Sequence, residues 1–233
     1  MSCINCEIDF EGDFCPSCGE KKNIDRITFS SIITSVFSGF VDMDKGLLFN
    51  IKNLTLFPKK TILDYINGKR RYILNPISYA IITISIYLFL DTLIPRGVSP
   101  KLSKVDVFGA QEMGVKFGYF LRSKMKFFWL TYIFYSSFFT KLFFRRFNFF
   151  EHLAINSFIL GHATLIAIIT RLIYNRELII FNFLIFFYVA FLLYKVFKNP
   201  KDAFGTGALI FIIVTLSYLL FFTVPFVIVS FMM

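Results

Sequence analysis

Leu153-Ala-Ile-Asn-Ser-Phe-Ile-Leu-Gly-His-Ala-Thr-Leu-Ile-Ala-Ile-Ile-Thr-Arg-Leu-Ile173 contains no acid, and its one fixed charge, Arg171, lies near its far end. A mostly apolar run of this length reads as a membrane-spanning helix, since only a helix satisfies its own backbone in lipid. The run is also unusually polar for a span, with Asn156, Ser157, His162, Thr164 and Thr170. Small residues four apart, Ser157/Gly161 and Ala163/Ala167, allow another helix to approach closely. The runs at 127–144 and 178–197 are rich in Phe, Tyr and Leu, which suits contact with lipid. The polar run is therefore expected in the middle of a bundle.

Further apolar stretches occur at about 77–94, 127–144, 178–197 and 207–231, giving five expected spans with 153–173. Hydrophobic residues make up 56% of the chain and 34 of its 233 residues are Phe, above the roughly 45–50% apolar content of soluble domains. Asp91 is expected at the interface, and Pro225 is expected to kink the last span. Neither a signal peptide nor an acylation motif is recognisable at the start, so attachment falls to the spans themselves.

Ahead of the spans, Cys3-Ile-Asn-Cys6 and Cys15-Pro-Ser-Cys18-Gly19 hold every cysteine in the chain. Two C-x-x-C knuckles with an eight-residue spacer suit a tetrahedral four-thiolate zinc site. The alternatives for the same thiols are two redox pairs or a disulfide framework. Residues 1–22 set five acids against two bases, net −3, while the rest carries 23 bases and 10 acids, net +13. Four thiolates around a divalent ion would add about two negative charges. Phosphate recognition needs a basic footprint, so no nucleic acid is expected at the ribbon. A protein surface suits it better, the basic stretch of its own chain included.

Residues 23–76 read as amphipathic juxtamembrane helices. Phe29, Ile32, Ile33, Val36, Phe37 and Phe40 follow helical spacing, with Thr28 or Ser30 as the cap. Leu47, Leu48, Ile51 and Leu54 form the apolar face of a second helix. Pro58 opens a third, with Ile62, Leu63 and Ile66 inward and Gly68 just past its end. Seven bases against one acid, Asp64, between Lys45 and Pro76 suit the surface of an anionic leaflet. Lys69, Arg70, Arg71 and Tyr72 form a candidate lipid or phosphate clamp, though bases also simply mark the cytoplasmic end of a span.

Thiolate ligands persist in a reducing compartment, which puts the N-terminus in the cytoplasm. Lys141, Arg145, Arg146, Lys195, Lys198 and Lys201 then flank the inner ends of spans. The loop at about 95–126 carries seven bases of its own, so the positive-inside pattern is not clean. Met113, Phe117, Phe120 and Leu121 in that loop have helical spacing.

Ionisable residues at membrane depth are candidates for function by default. Glu151, His152, Asn156, His162 and Arg171 form the candidate intramembrane polar site. The competing reading is structural: an interfacial pair beside Arg145 and Arg146, and a packing histidine at 162. Glu151 and His162 lie about 16 Å apart along a helix and cannot meet. With only two histidines and no nucleophile elbow or phosphate loop, no enzyme is expected.

Cys3…Cys18-Gly19, followed by Pro58…Tyr65…Gly68-Lys69-Arg70…Tyr72…Pro76, resembles a bacterial family of unknown function. Glu151-His152 at the start of a span also fits it. The resemblance implies a multipass inner-membrane protein with a zinc ribbon and supplies no activity. The expected fold is an all-α membrane protein: about five transmembrane helices (77–233), juxtamembrane helices (23–76) and a four-cysteine zinc ribbon (1–22). The expected function is a scaffold or sensor binding a protein partner at the cytoplasmic face. The main alternative is a transporter or lipid-handling protein using the polar span, with membrane lipids as partners. An intramembrane enzyme using Glu151 and His152 as an acid/base pair is the third.

Overall fold

The computed structural model describes residues 2–22, 26–32, 43–94, 125–173 and 183–231. Most of the helix read from Thr28 to Phe40, the 95–126 loop up to residue 124, and the first residues of the 178–197 run lie outside these. The described residues hold α1 (Met43–Leu56), α2 (Pro58–Ile66), α3 (Pro76–Leu93), a 3-10 segment (Met125–Thr131) leading into α4 (Tyr132–Phe143), α5 (Phe149–Ile173), α6 (Phe183–Phe197) and α7 (Ala203–Phe231). Among them there is no strand, only two isolated bridges in the ribbon.

Local chemistry sets these boundaries. Thr28 and Ser31 exchange side-chain bonds with each other's backbone N–H at the turn that starts at residue 29. Pro58 opens α2, and Gly68, at φ +104°, closes it. There the Gly68 N–H donates to the Tyr65 carbonyl and the Lys69 N–H to the Asp64 carbonyl, the Schellman pattern. Asn75 caps α3 by accepting from the Ile77 and Ser78 amides, with Pro76 at the first helical position. α5 begins four residues before the predicted span because Asn148 and Glu151 form a reciprocal capping box: Asn148 Oδ1 accepts from the Glu151 N–H (2.8 Å) and Glu151 Oε2 from the Asn148 N–H (2.7 Å). α7 runs through Pro225 without ending.

Side-chain pairings give the helix directions. Tyr79 meets His162 and Asp91 meets Arg171, so α3 and α5 run parallel. Ser136 with Asn156, and Thr140 with His152, set α4 antiparallel to α5. Phe197 on His152 and Tyr188 by His162 do the same for α6. Phe186 packs on both Phe211 and Tyr218, tying α6 to α7. Helices α3, α5 and α7 are long and apolar enough to cross a membrane. α6 is apolar but shorter.

α5 is the hub. Of its most apolar window 78% is buried, against 44% for α3 and 33% for α7, which places the polar span centrally. At 25 residues it is about 38 Å long, more than a hydrocarbon core of about 30 Å. The surplus at its N-terminal end is covered by protein: Phe158 packs edge-on against Tyr65 at 5.3 Å, Phe150 lies 6.2 Å from Phe29, and the Ile27 carbonyl accepts from Asn148. The juxtamembrane helices therefore dock on the bundle, and Ile27, Leu54, Ile62 and Tyr65 belong to the same core as the span residues.

Two details differ from the predicted faces. Leu48 is 70% exposed, while Asn50, on the same helix, is fully buried. Asn50 Nδ2 donates to the Leu74 carbonyl and its Oδ1 accepts from the Leu74 N–H, so a backbone segment that needed partners took the inward position from an apolar residue. Phe29 is likewise 64% exposed.

Where α3 crosses α5, a side chain on Gly161 would stand 2.8 Å from a Tyr79 ring carbon and 3.0 Å from Ala80 Cα. The backbone contact cannot yield by a rotamer change. Gly161→Val is expected to destabilise the bundle by about 1–3 kcal/mol, read as a lower thermal midpoint in detergent, with Ala163→Gly, off that contact, shifting it less.

Candidate functional site

The ribbon is built from two knuckles that repeat one hydrogen-bond pattern twelve residues apart. The Cys3 N–H donates to the Ile8 carbonyl and the Glu7 N–H to the Cys3 carbonyl; Cys15 with Glu20 and Gly19 with Cys15 repeat both bonds. The turn residues, Glu7 and Gly19, both have positive φ, +62° and +72°. This fold brings the four sulfurs within 4.8 Å of one another. Cys3 with Cys18, and Cys6 with Cys15, approach to 3.5 Å, far beyond an S–S bond of about 2.05 Å. Four sulfurs each 2.3 Å from one ion would stand about 3.8 Å apart, so the cluster fits a tetrahedral metal ion. All four cysteines are free thiols.

The thiols are electrostatically unequal. N–H groups of Cys18 and Ser17 aimed at Cys15 hold its thiol down at about 6 against desolvation. The Ile8 N–H acts likewise on Cys6, but desolvation and the three neighbouring thiols outweigh it and push Cys6 up to about 12. Packing four sulfurs together thus resists full ionisation unless a cation is present.

The ribbon is seated on the predicted clamp. Glu20 is 4% exposed, and its Oε2 accepts from the backbone N–H groups of both Arg70 and Arg71 at 3.1 Å each. The Arg71 guanidinium lies beside Gly19, 3.1 Å from where a side chain there would begin. Arg70 donates from Nε to the Tyr65 carbonyl and lies over the Tyr65 ring at 5.3 Å. Burial raises the Tyr65 hydroxyl to about 12, against the pull of Arg70 and the Asn75 amide. Tyr72 is exposed and leans on Phe49. The amides of the Lys69–Tyr72 segment thus hold a carboxylate from the protein itself.

The five candidate residues of α5 do not converge on one site. Glu151 caps its own helix and pairs with Arg26 (3.3 Å) rather than with Arg145 or Arg146. His152 donates from Nε2 to the Phe144 carbonyl at the end of α4, and its Nδ1 lies 3.1 Å from Thr140 Oγ1. Asn156 joins it through the same Thr140 and accepts from Ser136. One turn and a half further on, the Tyr79 hydroxyl donates to His162 Nδ1 and His162 Nε2 donates to Thr55 Oγ1, which in turn donates to the Ile51 carbonyl. Arg171 Nε donates to Asp91 (3.1 Å) and its NH2 group to the Ile94 carbonyl (2.7 Å). Asp91 is therefore buried as the partner of Arg171.

Glu20, Asn50, Tyr79, Thr140 and Asn148 went unread in the sequence. The S/T/N-x-x-E spacing at Asn148–Glu151 was a usable signal. The other four carry none, since their partners lie on other helices.

Only part of the chain is similar to a known family. Residues 44–88 match a family described as Protein of unknown function (DUF3667). The match covers α1, α2, the Arg70–Arg71 turn and most of α3, and excludes the cysteines. No curated protein and no solved structure matches the chain.

Metal and ion pair give two tests. Protons compete with the metal for thiolates, so retention should fall as pH drops below neutrality. Metal analysis of protein dialysed across that range checks this, with Cys15→Ser expected to lose the ion at neutral pH. Arg171→Ala should cost about 3–5 kcal/mol by stranding Asp91. Asp91→Asn in the same chain should recover part of that loss in detergent unfolding.

Proposed function

We propose that the protein is a non-enzymatic membrane scaffold or sensor whose zinc-loaded ribbon couples its metal state to the juxtamembrane segment. The observation that carries this reading is the Glu20 carboxylate on the Arg70 and Arg71 amides. Glu20 sits two residues after the ligand Cys18, and its carbonyl accepts from the N–H of the ligand Cys15. Unfolding the knuckle therefore removes Glu20 from its seat. Ile4, Ile8 and Phe14, 45–63% exposed, remain on the free side of the ribbon as the docking surface for a protein partner. The reading takes the bundle as five crossings, with the 3-10 segment and α4 as the second and α6 as the fourth. It places the N-terminus on the cytoplasmic side of a bacterial inner membrane, where thiolates stay reduced.

A transporter reading has less support, because Asn156, His162 and Arg171 each have protein partners and lie in three separate clusters. The lipid-handling reading draws on a different region, at the α4–α5 turn.

Hydrogen exchange in the full-length protein tests the coupling. The Arg70 and Arg71 amides should exchange slowly with metal bound. They should exchange roughly 10- to 100-fold faster in Glu20→Ala, as expected for losing about 1.5–3 kcal/mol of charged hydrogen bonding, and similarly after metal removal. Unchanged protection in stripped protein would sink the sensor reading. Phe14→Ser should separately abolish partner capture without changing exchange.

A further inference from the structure

The α4–α5 turn, Phe144-Arg145-Arg146-Phe147, meets the end of α6 and the first turn of α2. Lys59, Arg145, Arg146 and Lys198 surround a cavity of about 270 Å³ walled by Phe144 and Phe197. Among the described residues no Asp or Glu lines it, and none of the four bases is in an ion pair. Four exposed like charges around this volume give it a positive potential that favours an entering anion. The site is also held in shape. Arg146 lies over the Phe147 ring at 5.2 Å and Lys198 over Tyr194 at 5.6 Å. Phe144 and Phe197 stack at 4.5 Å, and His152 stacks on Phe197 at 5.6 Å while holding the Phe144 carbonyl.

Beside this cavity runs a groove of about 280 Å³ lined by Phe138, Lys141, Leu142, Arg145 and Phe149. Phe138 and Leu142 are 56% and 51% exposed on the outer face of α4. The one amine in it that is not Arg145, Lys141 Nζ, is turned to the Phe147 carbonyl. Arg145 borders both spaces, so a cationic cavity adjoins an apolar groove along a helix.

We infer that this end of the bundle binds an anionic phospholipid, with its phosphate among Arg145, Arg146, Lys198 and Lys59 and one acyl chain in the Phe138–Leu142–Phe149 groove. Guanidinium groups match phosphate oxygens in pairs, and basic pockets between helices at a membrane face suit anionic headgroups. A free phosphate would use the cavity and leave the groove without a purpose. In this assignment His152 is a positioning residue: it orients the aromatic walls and does not touch the lipid. The site stands whether or not the ribbon docks a partner.

Full-length protein in mixed micelles, titrated with phosphatidylglycerol or phosphatidylcholine of the same acyl chains and read by native mass spectrometry, tests this. Phosphatidylglycerol should be retained preferentially. Arg145→Gln with Arg146→Gln should weaken it roughly 25-fold, at about fivefold per base. Lys52→Gln with Lys60→Gln, an equal charge change on exposed positions outside the cavity, should leave it within about twofold, taking less than half of that per-base effect as the limit. Leu142→Asn should weaken phosphatidylglycerol binding while sparing the thermal midpoint. Equal retention of the two lipids would overturn the site, as would equal losses in the two double variants. Displacement by inorganic phosphate as effective as by the lipid would overturn the phospholipid and leave a soluble anion as ligand.

Discussion

Helix ends inside an apolar bundle leave carbonyls that neither water nor lipid can satisfy, and α5 answers this for two of the helices beside it. Near its start, His152 donates to the Phe144 carbonyl that ends α4; near its finish, Arg171 donates to the Ile94 carbonyl that ends α3. Both donors sit at the negative end of the helix they cap, where a donor or a cation is favoured. Its own start is closed by the Asn148–Glu151 box. Polar side chains that look costly at membrane depth thus replace costlier unpaired backbone. They also fix register, because a cap works at only one axial position. Once α3 and α4 are set on α5, Gly161 and Ala80 can touch and the core closes.

That requirement also explains what could be read from the chain alone. Among the described residues, periodicity and length located the helices because apolar burial writes itself locally, at i, i+3 and i+4. The four cysteines signalled a cluster that could hold a metal ion because a tetrahedral ligand set leaves a spacing in sequence. Pro58, Gly68 and Asn75-Pro76 marked ends through local backbone chemistry. The polar residues of α5 stood out as a set, but their partners did not. Thr140, Tyr79, Asp91 and Thr55 come from other elements, and only the packing of those elements tells one cluster from three. Asn50 shows the same limit in reverse: a polar residue took an inward position because the Leu74 backbone needed both its donor and its acceptor.

The ribbon extends the principle beyond the bundle. The segment after Gly68 turns the amides of Arg70 and Arg71 the same way, which makes a seat for an anion. From sequence, its bases suggested a phosphate there. The fold fills the seat with Glu20, so the acidity of the ribbon, which argued against nucleic acid, becomes the reason the ribbon stays on the basic segment. The hydrogen-bond acceptor belongs to the protein, and its position depends on the knuckle that carries it.

Charge along the bundle end then divides into two kinds. Arg70 and Arg71 present backbone amides already matched to a carboxylate, with Arg70 laid over Tyr65. Lys59, Arg145, Arg146 and Lys198 present side chains with no acid among them, over aromatic walls that His152 holds in place. Glu151-His152, which admitted a structural reading and an acid/base one, supports the second kind. Glu151 starts the helix and anchors Arg26. His152 closes the preceding one and orients Phe144 and Phe197. Chemistry at this turn would then belong to whatever anion the cationic rim receives, while the buried dipeptide supplies the shape that receives it.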